Sequence, residues 1–219
     1  MSLQTIIDSA VNIEINRSKL IAQSISRSGR LLTASRNWAN PFRFIVTPKP
    51  IWTWSEYRDE IQTVMDNDRY AEDSFYISNT SGLLWMTEYR GQLDAGSDTL
   101  ADYTVSTFSG TTLTLTTAGS PTVGNYIVRK GDWIRPTDHR YAYMVSADVV
   151  VPSPVSPVSI TVHRGYIDQG GYTVAGKTIK LADTAARFYV QVTSLPKVRF
   201  LYNGLVEFTG DFELIEVIL

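Results

Sequence analysis

Residues Gly171 to Thr178 (GYTVAGKT) spell G-x-x-x-x-G-K-[ST], a loop whose amides, Lys and hydroxyl cradle phosphates and a magnesium ion. That chemistry needs an apolar strand just before the loop and a helix just after it. Here YIDQG precedes it, and Ile179-Lys180-Leu181 continues as a strand-like alternation. Tyr172, Thr173 and Val174 also favour an extended run. The chain has two histidines, the usual general bases. His139 stands in RPTDHRYAY directly before an alternating strand, and His163 precedes Arg164. No Ser lies in a G-x-S-x-G elbow; the nearest tract, SRSGR at 26–30, reads as a Ser28-Gly29 turn flanked by Arg27 and Arg30. His139 is therefore expected at a loop or strand edge rather than in a catalytic set.

Two carboxylates held roughly 5 to 9 Å apart can cleave a glycosidic bond. Asp94, Asp98 and Asp102 lie in a loop-like tract, and Asp66 with Asp68 close a helical pattern. At such places Asp usually serves the backbone by local hydrogen bonding. With 0 Cys, thiolate catalysis, disulfides and Cys-ligated metals are excluded, and 2 His cannot build a three-His site in one chain. No catalytic, cofactor-binding or metal-binding residue is assigned, no cofactor is expected, and the chain reads as a non-enzyme. Trp52, Trp54, Trp85 and Trp133 are candidates for stacking on sugars, although strand aromatics more often belong to a core or a subunit contact.

Charge is unevenly spread. Residues 1–50 hold Arg17, Lys19, Arg27, Arg30, Arg36, Arg43 and Lys49 against only Asp8 and Glu14, whereas 205–219 hold Glu207, Asp211, Glu213 and Glu216 and no basic residue. A basic start can touch nucleic acid by releasing counterions from phosphates. The chain as a whole carries a formal charge of -2, unlike strongly basic nucleic-acid-binding domains, and no sequence-specific contact is expected. Complementarity between the basic start and the acidic end, within one subunit or between neighbours, accounts for the same residues more simply. Arg27, Arg30, Arg43, Glu207, Asp211, Glu213 and Glu216 are therefore the candidate subunit-interface residues.

These residues need elements to hold them. The 219 residues, 43% hydrophobic and 19% charged, fit one large or two small globular domains. Abundant Thr, Ser, Tyr and Gly favour strands and turns. One helix is predicted at 55–67, with Trp54, Tyr57, Ile61, Val64 and Met65 on one face and a capping box from Thr53 and Glu56. Strands are predicted at 41–47, 74–78, 83–89, 187–193, 198–202, 205–209 and 212–218. Asn203-Gly204 marks a type I′ hairpin, and the last strands are expected to form an antiparallel meander. The Thr-rich middle, punctuated by Gly and by VPSPVSPV at 151–158, reads as a separate β unit.

The expected fold is mainly β: an antiparallel β-sandwich or barrel with one flanking helix and an inserted small β domain. Residues 1–95 and 176–219 form its discontinuous core, and 96–175 the insertion. The opening MSLQTIIDSAVNIEIN lacks the basic region of a secretory signal, and no stretch reaches the ~20 apolar residues of a membrane helix, so a soluble chain with no membrane partner is expected.

Taken in order, SRSGRLLTASRNWANPFRFIVTP (26–48), the polar helix 55–67, SGLLWMTEYRG (81–91), VRKGDWIRPTDHRYAYMVSADV (128–149) and VEFTGDFELIEVIL (206–219) resemble a bacteriophage tail or baseplate structural protein of the tail-tube or distal-tail class. The resemblance implies a virion component, made in the host cytoplasm, that builds a homo-oligomeric ring. Its partners would be copies of itself and other tail or baseplate proteins, with passing contact to DNA in a tail channel. The alternative is a carbohydrate- or receptor-binding module that uses the inserted domain.

Overall fold

The computed structural model describes residues 2–16, 21–25, 31–35, 41–66, 72–76, 103–117, 122–152, 157–181 and 187–218. Helix α1 (Ser2–Asp8) leads into β1 (Asn12–Asn16), then β2 (Ile21–Ile25), β3 (Leu31–Ser35), β4 (Arg43–Thr47) and β5 (Ile51–Thr53). Helix α2 (Trp54–Asp66) follows β5 directly, and β6 (Glu72–Tyr76) comes next. The middle holds β7 (Tyr103–Ser109), β8 (Thr112–Thr117), β9 (Tyr126–Val128), β10 (Trp133–Pro136), β11 (Tyr143–Met144), β12 (Val149–Val150), β13 (Val158–Thr161) and β14 (Ile179–Leu181). The chain ends on β15 (Arg187–Ser194), β16 (Lys197–Leu201), β17 (Leu205–Thr209) and β18 (Phe212–Glu216). The fold is mainly β, its sheets are antiparallel, and no barrel closes among the described residues.

The largest sheet has the strand order β1-β4-β18-β15-β6. Side chains alternate across its pleat, so Phe44, Val46, Phe188, Val190, Phe212 and Leu214 face the core while Arg43, Arg187 and Glu213 face outward. Phe188 is the centre of the packing: its ring lies 4.9 Å from Phe44, 5.6 Å from Phe75, 5.8 Å from Phe42 and 5.4 Å from Trp133. Burying each such ring contributes about 1.5–3 kcal/mol.

Helix α2 begins one residue earlier than the predicted helix and buries Ile61 and Val64, with Trp54 and Tyr57 half-buried. Met65 departs from the predicted stripe and is 41% exposed. The first helical amide, Trp54 N–H, donates to Gly204 O at 2.8 Å, so a neighbouring hairpin takes up an amide that lies before the first turn's own carbonyls. Helix α1 was not foreseen. It is only seven residues long and contains Thr5, Ile6 and Ile7, residues that favour strands, so packing rather than propensity holds it. Its Leu3, Ile6 and Ile7 are buried, and Gln4 donates to Tyr76 O and accepts from Tyr76 N–H of β6.

The closing strands do not form the expected meander. β15 pairs with β18, and the hairpin β16–β17 turns away to join β5 in a sheet of order β16-β17-β5. Pro196 and the positive-φ Gly210 (98°) bracket the hairpin and redirect the chain at both ends. The turn itself is as expected: Asn203 and Gly204 both have positive φ, 67° and 71°.

A second buried cluster gathers Tyr103, Val105, Leu113, Leu115, Ile127, Val128, Ile134, Tyr143, Val145 and Ile160 of the middle segment. Its sheets are β13-β8-β7, β11-β10-β14 and β12-β9. β14, assigned by sequence to the core beyond residue 175, instead pairs with β10, and Ile179 packs in this cluster. Conversely, Trp133 and Ala142 pack with the first cluster. The predicted strand at 83–89 lies outside the described residues.

Candidate functional site

The buried ionisable groups are engaged inside the fold. Glu216 falls on the inward side of β18, where alternation calls for an apolar residue, and is 3% exposed. It accepts from both terminal nitrogens of the equally buried Arg164, at 2.8 Å for Nη2 to Oε1, and from Phe42 N–H at 3.1 Å. Arg164 also donates to Ala142 O at 2.8 Å and lies 4.5 Å from the Phe42 ring.

His139, expected at a loop or strand edge, is buried at 1% exposure among Tyr141, Tyr143, Tyr166 and Tyr172. Its Nδ1 accepts from Tyr141 N–H at 3.3 Å, which leaves Nε2–H to donate to Ile167 O at 3.2 Å. Burial lowers its pKa and keeps the ring neutral. Partial burial pushes the Tyr172 phenol up to about 12, and its hydroxyl donates to Thr137 O at 2.6 Å. Tyr141 and Tyr143 are buried with His139, Tyr166 and Tyr172 are half-buried, and both imidazole nitrogens are engaged by backbone groups.

The phosphate-loop spelling does not fold as a phosphate loop. Gly171 and Gly176 serve turns with φ of 80° and 77°, Gly176 N–H donates to Val105 O at 2.7 Å, and the segment runs into β14 rather than a helix. Lys177 Nζ lies 3.2 Å from Asp138, and Thr178 Oγ1 lies 2.7 Å from Thr137 Oγ1. Asp66 accepts from Gln62 Nε2 on its own helix at 3.0 Å, a local role of the kind expected of it. Asp68, Asp94, Asp98 and Asp102 lie outside the described residues. Among the described residues, no group of three or more His, Asp and Glu could hold a metal ion. No described helix is long and apolar enough to cross a membrane.

The candidate interface residues separate. Arg27 and Arg30 lie outside the described residues. Glu216 is corrected: a carboxylate buried against Arg164 within its own chain cannot meet a second subunit. Glu207 accepts from Arg199 Nε at 2.8 Å across the β16–β17 ladder, and Asp211 accepts from Thr47 Oγ1 at 2.7 Å. Arg43 and Glu213 come together on the outer face of the large sheet, where a groove of about 410 Å³ is lined by Asn16, Arg43, Ile45, Thr193, Glu213 and Ile215. The meeting of basic start and acidic end is thus partly intramolecular, because β4 pairs directly with β18.

Two features escaped the sequence reading. Phe200 and Tyr202, on the β16–β17 hairpin, are 61% and 90% exposed, and only their place beside Asn203-Gly204 hinted that they project. Where the chain enters β16, a groove of about 350 Å³ is lined by Val64, Met65, Leu195, Pro196, Lys197 and Val198, with Phe208 and Phe212. Of the tryptophans proposed for sugar stacking, Trp52 and Trp133 are core residues, Trp54 packs 5.0 Å from Phe200, and Trp85 lies outside the described residues. Comparison with protein-family models and with curated proteins finds no match to this chain.

Proposed function

We propose that this chain is a non-enzymatic structural component of a bacteriophage tail or baseplate, which assembles with copies of itself into a ring and connects tail parts. The reading begins from the order of tracts that resemble that class, and the mainly β, antiparallel architecture is compatible with it. The observation that carries it furthest is the outer face of the five-stranded sheet. There Arg43 and Glu213 rim a groove whose lining includes Ile45 and Ile215, a mixture of apolar floor and opposite charges that suits protein contact better than catalysis. On this reading the protein works in the virion, is made in the host cytoplasm, and takes other tail or baseplate proteins as its further partners.

The carbohydrate-module alternative, which uses the inserted domain, has less support, since Trp133, the candidate tryptophan within it, is spent in the core. Light scattering and negative-stain microscopy of the native chain test the main reading, with rings as the expected result. Reversing Arg27, Arg30 and Arg43 together to Glu is expected to leave a folded monomer by circular dichroism. Rings that persist in that variant would remove these arginines from the interface, and a native monomer that binds on a glycan array would replace the reading altogether.

A further inference from the structure

The two sheets of the first cluster have four edges, and they differ in how they are finished. β6 is closed: Gln4 takes both the N–H and the C=O of Tyr76, and the Asp73 carboxylate accepts from Ser74 N–H. β5 is three residues long and runs straight into α2. β1 and β16 remain, and among the described residues no strand pairs with the outer side of either.

Along the middle of β16, Val198 to Phe200, no charge points inward. Arg199 stands on the face opposite the core, paired with Glu207 across the ladder, and Lys197, in register with Thr209, reaches the rim of the groove beside Met65, while Val198 and Phe200 share the inner face with Phe208 and Val206. An edge built only to repel other strands would carry a charge inward. This one presents an apolar inner face that continues into the groove beside Met65, and it leaves Phe200 and Tyr202 in solvent. β1 carries Glu14 outward between Asn12 and Asn16, with Ile13 and Ile15 on the other side of the pleat.

We propose that β16 of one copy pairs edge to edge with β1 of the next, joining the three-stranded sheet of one subunit to the five-stranded sheet of its neighbour. Charge selects this pairing over the symmetric ones. β16 against β16 would oppose Lys197 and Arg199 to one another, and β1 against β1 would oppose Glu14 to Glu14, whereas β1 against β16 sets Glu14 beside Lys197 and beside Arg199, which Glu207 already pairs within the hairpin. The contact is heterologous, so it propagates from copy to copy and closes into a ring when the rotation permits. It rests on the reading of this chain as self-assembling and adds the location and polarity of the contact.

Charge exchange tests it on exposed side chains, with circular dichroism as the check on folding because Arg199→Glu sets a second carboxylate opposite Glu207. Glu14→Lys alone, and Lys197→Glu with Arg199→Glu, are each expected to weaken self-association about tenfold or more by sedimentation velocity. The chain carrying all three changes is expected to recover native association, and equal mixtures of the two partial variants to co-assemble into alternating oligomers. Native association in both partial variants, or no recovery in the triple variant, would overturn the edge contact while leaving ring formation itself standing. A native chain that stays monomeric at every attainable concentration would overturn both.

Discussion

Arg164 and Glu216 face each other with both side chains almost wholly buried, and they join the middle segment to the last strand of the five-stranded sheet. A buried ion pair seldom adds much net stability over an apolar pair of the same shape, but breaking one partner strands a charge. Glu216→Ala is expected to cost about 3–5 kcal/mol. The double change Glu216→Leu with Arg164→Met should cost much less than the sum of the single changes. Urea midpoints for the single and double variants check this, and additive losses would refute the pairing as the cause.

His139 should make folding sensitive to mild acid. Burial holds its folded-state pKa below the ordinary 6.5. As pH falls through that value the unfolded chain takes up a proton that the folded chain resists, so stability is intact above it and declines below it, by at most about 1.4 kcal/mol per pH unit. His139→Gln, which can still donate to Ile167 O and accept from Tyr141 N–H, should flatten the decline between about pH 7 and about pH 5. Equal slopes in native and variant urea titrations would assign the acid sensitivity elsewhere.

Gly204 occupies the left-handed region at φ 71°, where a side chain is strained. Gly204→Val is expected to destabilise the protein by about 1–2 kcal/mol, while Asn203→Gly should change stability little. The Gly204 carbonyl also receives the first amide of α2, so the loss should be visible in helical circular dichroism as well as in the thermal midpoint.

Lys177, the lysine of the phosphate-loop spelling, is tied to an exposed Asp138. Lys177→Ala should therefore change stability by no more than about 1 kcal/mol. Titration calorimetry with magnesium ATP is expected to give no binding heat for the native chain or the variant. Saturable heat lost on Lys177→Ala would reinstate the nucleotide reading.

The pattern of alternation in RFIVT, RFYVQVT and FELIE, and the helical spacing of Trp54, Tyr57, Ile61 and Val64, made these elements legible in advance, because a side chain's direction in a strand or helix follows from local backbone geometry. Strand partners were less legible. The NG turn specified the β16–β17 hairpin, but nothing local said that it would leave β15 and β18 to pair with each other, since that choice depends on burying Phe188, Phe212 and Phe208 together. α1 was hidden for the same reason: seven residues with two adjacent isoleucines become helical only where Leu3, Ile6 and Ile7 have a core to enter.

The amino-acid order alone determined that the chain is mainly β, lacks thiol chemistry, turns at Asn203-Gly204, and begins on a basic segment and ends on an acidic one. Tertiary structure decided which of those charges face outward. Glu213 and Glu216 lie three residues apart on one strand, yet the first rims a solvent groove and the second is sealed against Arg164. The pleat sends alternate side chains to opposite faces, and only packing against the middle segment made one of those faces an interior able to hold a charge with its partner.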